Sequence, residues 1–231
     1  MADRVLPEPD RFATCPQEGR ILEYYAGTFE AVYVLFHPFI DATQVGSERF
    51  KPGTYPGRQF ILKNCRAVLW AEVMRRTGLP SLKAVDIGLR TTILGLRADL
   101  ANEQYGSAIR HLEESFHILG PPEGCFSDLL HDDLLAAIQK LGYECAWVGD
   151  EFGTERKLYR IDDLKDNDSG PTAGHTNLFT PDKALLLTTH WDSHFSFMCS
   201  SIQNLTKVLD ANRFEGFFCD PSTEVYWSVR P

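Results

Sequence analysis

Apolar positions recur at helical spacing through the first half of the chain and at strand spacing through the second. Phe60, Ile61, Cys65, Val68, Leu69 and Val73 step by threes and fours before Arg75, Arg76, Gly78 and Pro80, which predicts one helix with a basic last turn and a glycine stop. Leu82, Val85, Leu89, Ile93, Leu96 and Leu100, then Tyr105, Ile109, Leu112 and Phe116, keep the same period between Ser81 and Leu119, so two or three helices are expected there. Ser127 can cap a further helix with the stripe Leu130, Leu134, Ile138 and Leu141, stopped at Gly142. Before these, residues 17–25 read as a short helix and residues 30–36 as a buried strand ended by His37-Pro38; residues 41–57 carry too many breakers for a regular element.

Beyond Gly142 the period shortens. Residues 143–148, 157–161, 184–190, 195–199, 214–219 and 225–229 are rich in β-branched and aromatic residues and are separated by turn formers, which predicts strands of one sheet. The loop Asp220-Pro-Ser-Thr-Glu224 suggests that the last two pair as an antiparallel hairpin. One helix, around Ile202, Leu205, Val208 and Leu209 after Ser201, interrupts the set. Helices gathered before strands imply an α+β fold: a mostly helical part, residues 1–142, packed on a largely antiparallel sheet, residues 143–231, within one globular domain. The acidic segment 162–176 is expected to be a loop, and neither repeats nor low-complexity tracts are present.

Composition narrows the function classes. In 231 residues, 32 Asp+Glu outnumber 23 Lys+Arg for a formal net charge of −9, which argues against a general nucleic-acid binder. With 43% hydrophobic residues the chain can build a core. No apolar run approaches the ~20 residues of a membrane-crossing helix, and the charged, proline-bearing N-terminus does not read as an export signal. A cytoplasmic protein is therefore expected, with six scattered cysteines as reduced thiols. Phosphate-binding, dinucleotide-binding, nucleophile-elbow and zinc-protease motifs are all missing from the sequence.

The most suggestive chemistry is His190-Trp-Asp-Ser-His194. On a strand, a period of two places His190, Asp192 and His194 on one face, and two imidazoles with a carboxylate are a ligand set for zinc or iron. A straight strand spreads the outer two by about 13 Å, so two of the three plus a remote ligand such as His37 or His175 is the workable form. Glu114-x-x-His117 and Asp128-x-x-His131 pair an acid with an imidazole one turn apart, a pattern better explained by surface charge than by a metal. Asp162, Asp163, Asp166 and Asp168 lack the spacing of a calcium loop.

The segments His190-Trp-Asp-Ser-His-Phe195, Phe214-Glu-Gly-Phe-Phe-Cys-Asp220, Tyr226-Trp227 and Asp86-Ile-Gly-Leu-Arg-Thr91 resemble an uncharacterised bacterial family, one of the domains of unknown function. That resemblance implies a bacterial cytosolic protein and carries no activity. Two functional expectations follow from the residues. The first is a non-enzymatic binding protein, of the immunity type, whose acidity matches a basic protein partner. The alternative is a metal-dependent hydrolase or oxygenase using His190, Asp192 and His194. A small-molecule carrier with aromatic walls around Trp191, Phe195, Phe217 and Trp227 is a third.

Overall fold

The computed structural model describes residues 10–51, 53–165, 172, 174 and 176–229. In chain order the elements are α1 (Ile21–Tyr24), β1 (Ala31–Phe36), β2 (Phe39–Asp41), α2 (Arg58–Asn64), β3 (Arg66–Val68), α3 (Trp70–Thr77), α4 (Leu82–Thr92), α5 (Glu103–Phe116), β4 (Ile118–Leu119), α6 (Asp128–Lys140), β5 (Cys145–Asp150), β6 (Arg156–Arg160), α7 (Ile161–Lys165), β7 (Thr176–Phe179), β8 (Leu186–Thr189), β9 (Phe195–Ser200), α8 (Ile202–Leu209) and β10 (Gly216–Phe218); a 3₁₀ turn spans Ser47–Phe50. The fold is α+β. Seven strands form one antiparallel sheet in the order β10-β1-β9-β8-β7-β5-β6, and β3-β2-β4 form a second, small one.

The central strands of the large sheet, β1, β8 and β9, are covered on both faces, and the side-chain period of two divides their residues between them, whereas the edge strand β6 is largely exposed. Val32, Val34 and Phe36 of β1, with Phe195, Phe197 and Cys199 of β9, pack against Trp70 and Val73 of α3 and Val85 and Leu89 of α4. Tyr33 and Leu35, with Met198 and Leu187, pack against Leu134 and Ile138 of α6 and Leu205 and Val208 of α8. Both faces being dry explains why β1 reads as an unbroken apolar run rather than an alternation.

β1 lies between β10 and β9, so the helical half of the chain donates a strand to the interior of the sheet. The predicted helix around Phe60–Arg76 is two helices separated by β3, because Cys65 turns extended (φ −119°, ψ 166°) and Arg66–Val68 pairs with β2. The Glu215 carboxylate then opens α3 by accepting from the Trp70 and Ala71 amides at 2.6 and 2.8 Å. The predicted hairpin of 214–219 with 225–229 does not form. Gly216–Phe218 pairs with Tyr33–Leu35, while residues 225–229 are turns that insert Trp227 between Phe217 and Phe36, at ring distances of 5.1 and 5.5 Å. Packing of a large aromatic outweighed strand propensity there. β7 was not anticipated, and the segment 162–176 is helical at its start, in α7; positions 166–171, 173 and 175 lie outside the described residues.

Candidate functional site

Residues 190–194 are not on a strand: β8 ends at Thr189 and β9 starts at Phe195, so the motif is the connection between them. Freed from the pleat, its side chains point in different directions. His190, Asp192, Ser193 and His194 are 1, 4, 0 and 3% exposed, whereas Trp191 is 52% exposed.

What lies beneath the connection is helix α4. Ser81 caps it by accepting from the Ala84 amide, and its apolar stripe carries Val85 and Leu89 into the core. Asp86 and Arg90, one turn apart on that buried side, are both fully enclosed. Arg90 Nε donates to Asp86 Oδ2 at 3.1 Å, its Nη2 donates to Ser193 Oγ at 3.0 Å, and its Nη1 lies 3.6 Å from Asp192 Oδ1. Ser228 donates its hydroxyl to Asp86, and the rings of Tyr226 and Phe195 sit 4.8 and 5.3 Å from the guanidinium carbon. One cation therefore ties a helix, the 190–194 connection and the C-terminal segment into a single buried network.

His190 is part of the same network. Its Nδ1 contacts the Asp192 carboxylate, and its Nε2–H donates to the Gln17 carbonyl at 3.1 Å. Tyr226 donates to Asp192 Oδ2 at 3.3 Å. Burial by itself would raise the Asp192 carboxyl, but His190, Arg90 and Tyr226 outweigh it and hold it below the ordinary carboxylate range. His194 turns the other way. Its Nδ1–H donates to the Pro121 carbonyl at 2.9 Å and its buried Nε2 has no partner. Burial lowers this imidazole to about 4, with Asp86 opposing and Arg90 assisting, so the ring is neutral at neutral pH.

His37 neighbours His194 through its amide, which donates to the His194 carbonyl at 3.1 Å. Its Nε2 meets Ser196 Oγ at 2.7 Å, Ser196 meets Thr189 Oγ1 at 2.8 Å, and its Nδ1 is unpartnered. Burial, reinforced by His194, lowers it to about 3. A histidine and a serine in contact suggest nucleophilic catalysis, but both are fully buried, out of reach of any substrate.

The proposed metal ligands are thus brought together in part. His190 and Asp192 touch each other, with both His190 nitrogens engaged; His194 faces elsewhere, and His175 lies outside the described residues. Among the described residues no group of three or more His, Cys, Asp or Glu side chains is placed to hold a metal ion. His117 sits at the left-handed end of α5 (φ 52°) beside the Ser47 hydroxyl, at 3.1 Å. His131, read from sequence as a surface residue, is buried on α6, contacts Thr172 Oγ1 at 2.7 Å and is lowered to about 4, by burial first and then by Arg58. All six cysteines are free, and burial raises the Cys15 and Cys199 thiols, which leaves them unreactive.

Asp86 and Arg90 are the residues that sequence reasoning did not single out as a site. The available signal was an acid and a base at i and i+4 on the apolar side of a predicted helix, where an unpaired charge is not tolerated.

Residues 17–229 match the family described as "Protein of unknown function (DUF2711)". The chain belongs to this family. It is 21% identical over 216 residues to the "Uncharacterized protein YwbB" of Bacillus subtilis (strain 168), an alignment covering 91% of this chain and 95% of that one. The likeness spans the whole site, including Arg90 and the 190–194 connection, and it agrees with the resemblance to a bacterial family seen in the motifs. No solved structure matches. Among the described residues no helix is long and apolar enough to cross a membrane.

Proposed function

We propose that this protein acts by binding, without catalysis, and that its partner is a basic protein recognised in the cytoplasm through the 190–194 connection. The observation that carries this reading is Trp191: it stands half exposed on a base whose other four residues are at most 4% exposed. Large aromatics held rigidly in this way are the usual energetic centres of protein interfaces, because little side-chain freedom remains to be lost on binding.

The surroundings supply the charge. Glu18 is exposed next to Gln17, whose carbonyl receives the His190 bond, and Glu123 is exposed next to Gly124, whose amide donates to the Ser193 carbonyl at 2.9 Å. With a net charge of −9, the chain offers a basic partner long-range attraction, and these exposed carboxylates flank the segments bonded to the connection. Nucleic acid is disfavoured by the same charge.

The metal-dependent alternative keeps His190 and Asp192 as two ligands. It requires His190 to exchange its contact with Asp192 for an ion, and His194 to leave the Pro121 carbonyl.

The test compares the immobilised full chain with its Trp191→Ala variant against proteins of the host cytoplasm. The expected result is a basic protein retained by the wild type, released at roughly 0.5 M salt where surface charges are screened, and lost in the variant. An identical retained set for both proteins overturns the reading.

A further inference from the structure

β6 (Arg156–Arg160) is an edge of the large sheet: it pairs with β5, and among the described residues no strand lies on its other side. The ladder to β5 uses alternate residues. The Ile161 amide donates to the Glu144 carbonyl at 2.9 Å and the Asp150 amide to the Glu155 carbonyl at 3.1 Å, so positions 155, 157, 159 and 161 bond inward. The amides and carbonyls of Arg156 and Leu158, and the amide of Arg160, therefore face outward. α7 turns off the strand and onto α6, burying Ile161 and Leu164, and leaves four of the five β6 residues exposed.

A row of apolar side chains crosses the sheet and stops at this edge. Cys199 of β9, Leu186 of β8, Phe179 of β7, Trp147 of β5 and Leu158 of β6 are successive cross-strand partners on one face. The first three are buried and Trp147 is half-buried with its ring stacked on Phe179, whereas Leu158 is 44% exposed. One more strand, with an apolar residue opposite Leu158, completes the row.

The flanking positions on that face are cationic. Arg156 and Arg160 stand two residues to either side of Leu158, and with Lys157 they give the strand three cations and no acid, in a chain of net charge −9. Arg156 pairs with Asp10 at 3.1 Å, but both side chains are exposed and such a pair exchanges partners at little cost. A second copy of the chain is a poor occupant, because antiparallel pairing of β6 with itself about Leu158 sets each Arg156 against an Arg160. A cationic edge of this kind bars self-association and admits an acidic strand. Glu155 and Asp162, exposed at its two ends, disfavour carboxylates beyond these five positions.

We infer that β6 is a docking edge for an extended acidic segment of another protein, added antiparallel to the sheet, with an apolar residue opposite Leu158 and carboxylates opposite Arg156 and Arg160. The edge is separated from β8 and the Trp191 connection by β5 and β7, and does not depend on them.

The probes are short capped peptides with the centres Glu-Thr-Ile-Thr-Glu and Lys-Thr-Ile-Thr-Lys, and the acidic peptide N-methylated either at its isoleucine or at a neighbouring threonine. Calorimetry follows their binding to the full chain, and hydrogen exchange follows the Leu158 amide. The acidic peptide is expected to bind and to slow exchange at Leu158, and the lysine peptide to bind roughly tenfold more weakly or worse. Methylating the isoleucine, whose amide meets the Leu158 carbonyl, abolishes binding; methylating the threonine, whose amide faces away from β6, retains it. Arg160→Glu, at an exposed position that leaves folding intact, weakens the acidic peptide by roughly three- to tenfold, and Trp191→Ala leaves it unchanged.

Equal affinity for the acidic and lysine peptides overturns the acidic partner. Undiminished binding after methylation of the isoleucine overturns strand addition. Self-association of the chain that protects the Leu158 amide makes a second copy the occupant and overturns the proposal. Binding of none of the peptides at millimolar concentration, or binding that leaves exchange at Leu158 unaltered, removes the site itself.

Discussion

Arg90 and Asp192, brought together from a helix and from a connection between strands far along the chain, meet at 3.6 Å with essentially no solvent around either side chain. Neither charge is tolerable alone in that place. Their separate partners, Asp86 for the arginine and His190 for the aspartate, make the four residues one electrostatic unit.

Replacing Arg90 by Met leaves Asp86 and Asp192 buried without their shared cation, and we expect a loss of about 3–5 kcal/mol in urea unfolding. Asp86→Asn, which keeps the shape and the Ser228 contact, should cost less. A double-mutant cycle between Arg90 and Asp192 should return a coupling of at least ~1 kcal/mol; additive losses would show that the contact does not hold the connection in place.

Acid sensitivity follows from the histidines. His37 and His194 are lowered to about 3 and about 4 in the folded protein against ~6.5 unfolded, so the unfolded state binds more protons between those values. The stability they contribute is fully present above pH ~6.5 and is lost as pH falls toward 4 and then 3. His194→Gln should flatten the upper part of this fall, as read from unfolding free energies at pH 7, 6, 5 and 4. A slope unchanged by the substitution would assign the acid sensitivity to other groups.

Gly216 pairs with Leu35 so closely that a Cβ there would stand 1.9 Å from the Val34 carbonyl oxygen and 2.7 Å from the Tyr33 ring. Gly216→Ala therefore has to push β10 off β1, and the neighbouring Glu215 carboxylate with it, away from the amides that open α3. The expected cost is about 1–3 kcal/mol by overpacking, measured as a lower thermal midpoint with increased amide exchange at Trp70 and Ala71.

Metal content separates the two functional readings. With both His190 nitrogens engaged and His194 on the Pro121 carbonyl, plasma mass spectrometry of untagged protein should find zinc and iron well below one equivalent. His190→Ala should destabilise the fold by exposing the Asp192 charge without changing that content. Near-stoichiometric metal lost on the same substitution would favour the metal-dependent enzyme.

The sequence by itself determined those elements whose local period and burial agree. β1, α4, α5, α6, α8 and β9 are legible because each carries an apolar pattern matching its geometry and, for the helices, a recognisable start or stop such as Ser81 or Gly142. The α+β class follows from the same local information, and among the described residues no helix is long and apolar enough to cross a membrane.

Tertiary structure alone decided which segments close the sheet and where the motif's side chains go. Short stretches such as 66–68 and 225–229 have weak local preferences, so pairing with β2 and insertion of Trp227 into the aromatic core outweighed them. Between Thr189 and Phe195 no pleat constrains direction; Arg90 on one side and the Pro121 carbonyl on the other draw Asp192 and His194 apart and leave Trp191 in solvent. The reason is physical: periodicity records which face of an element is buried, while the direction of a turn residue is set by the charges and carbonyls that the rest of the chain places beside it.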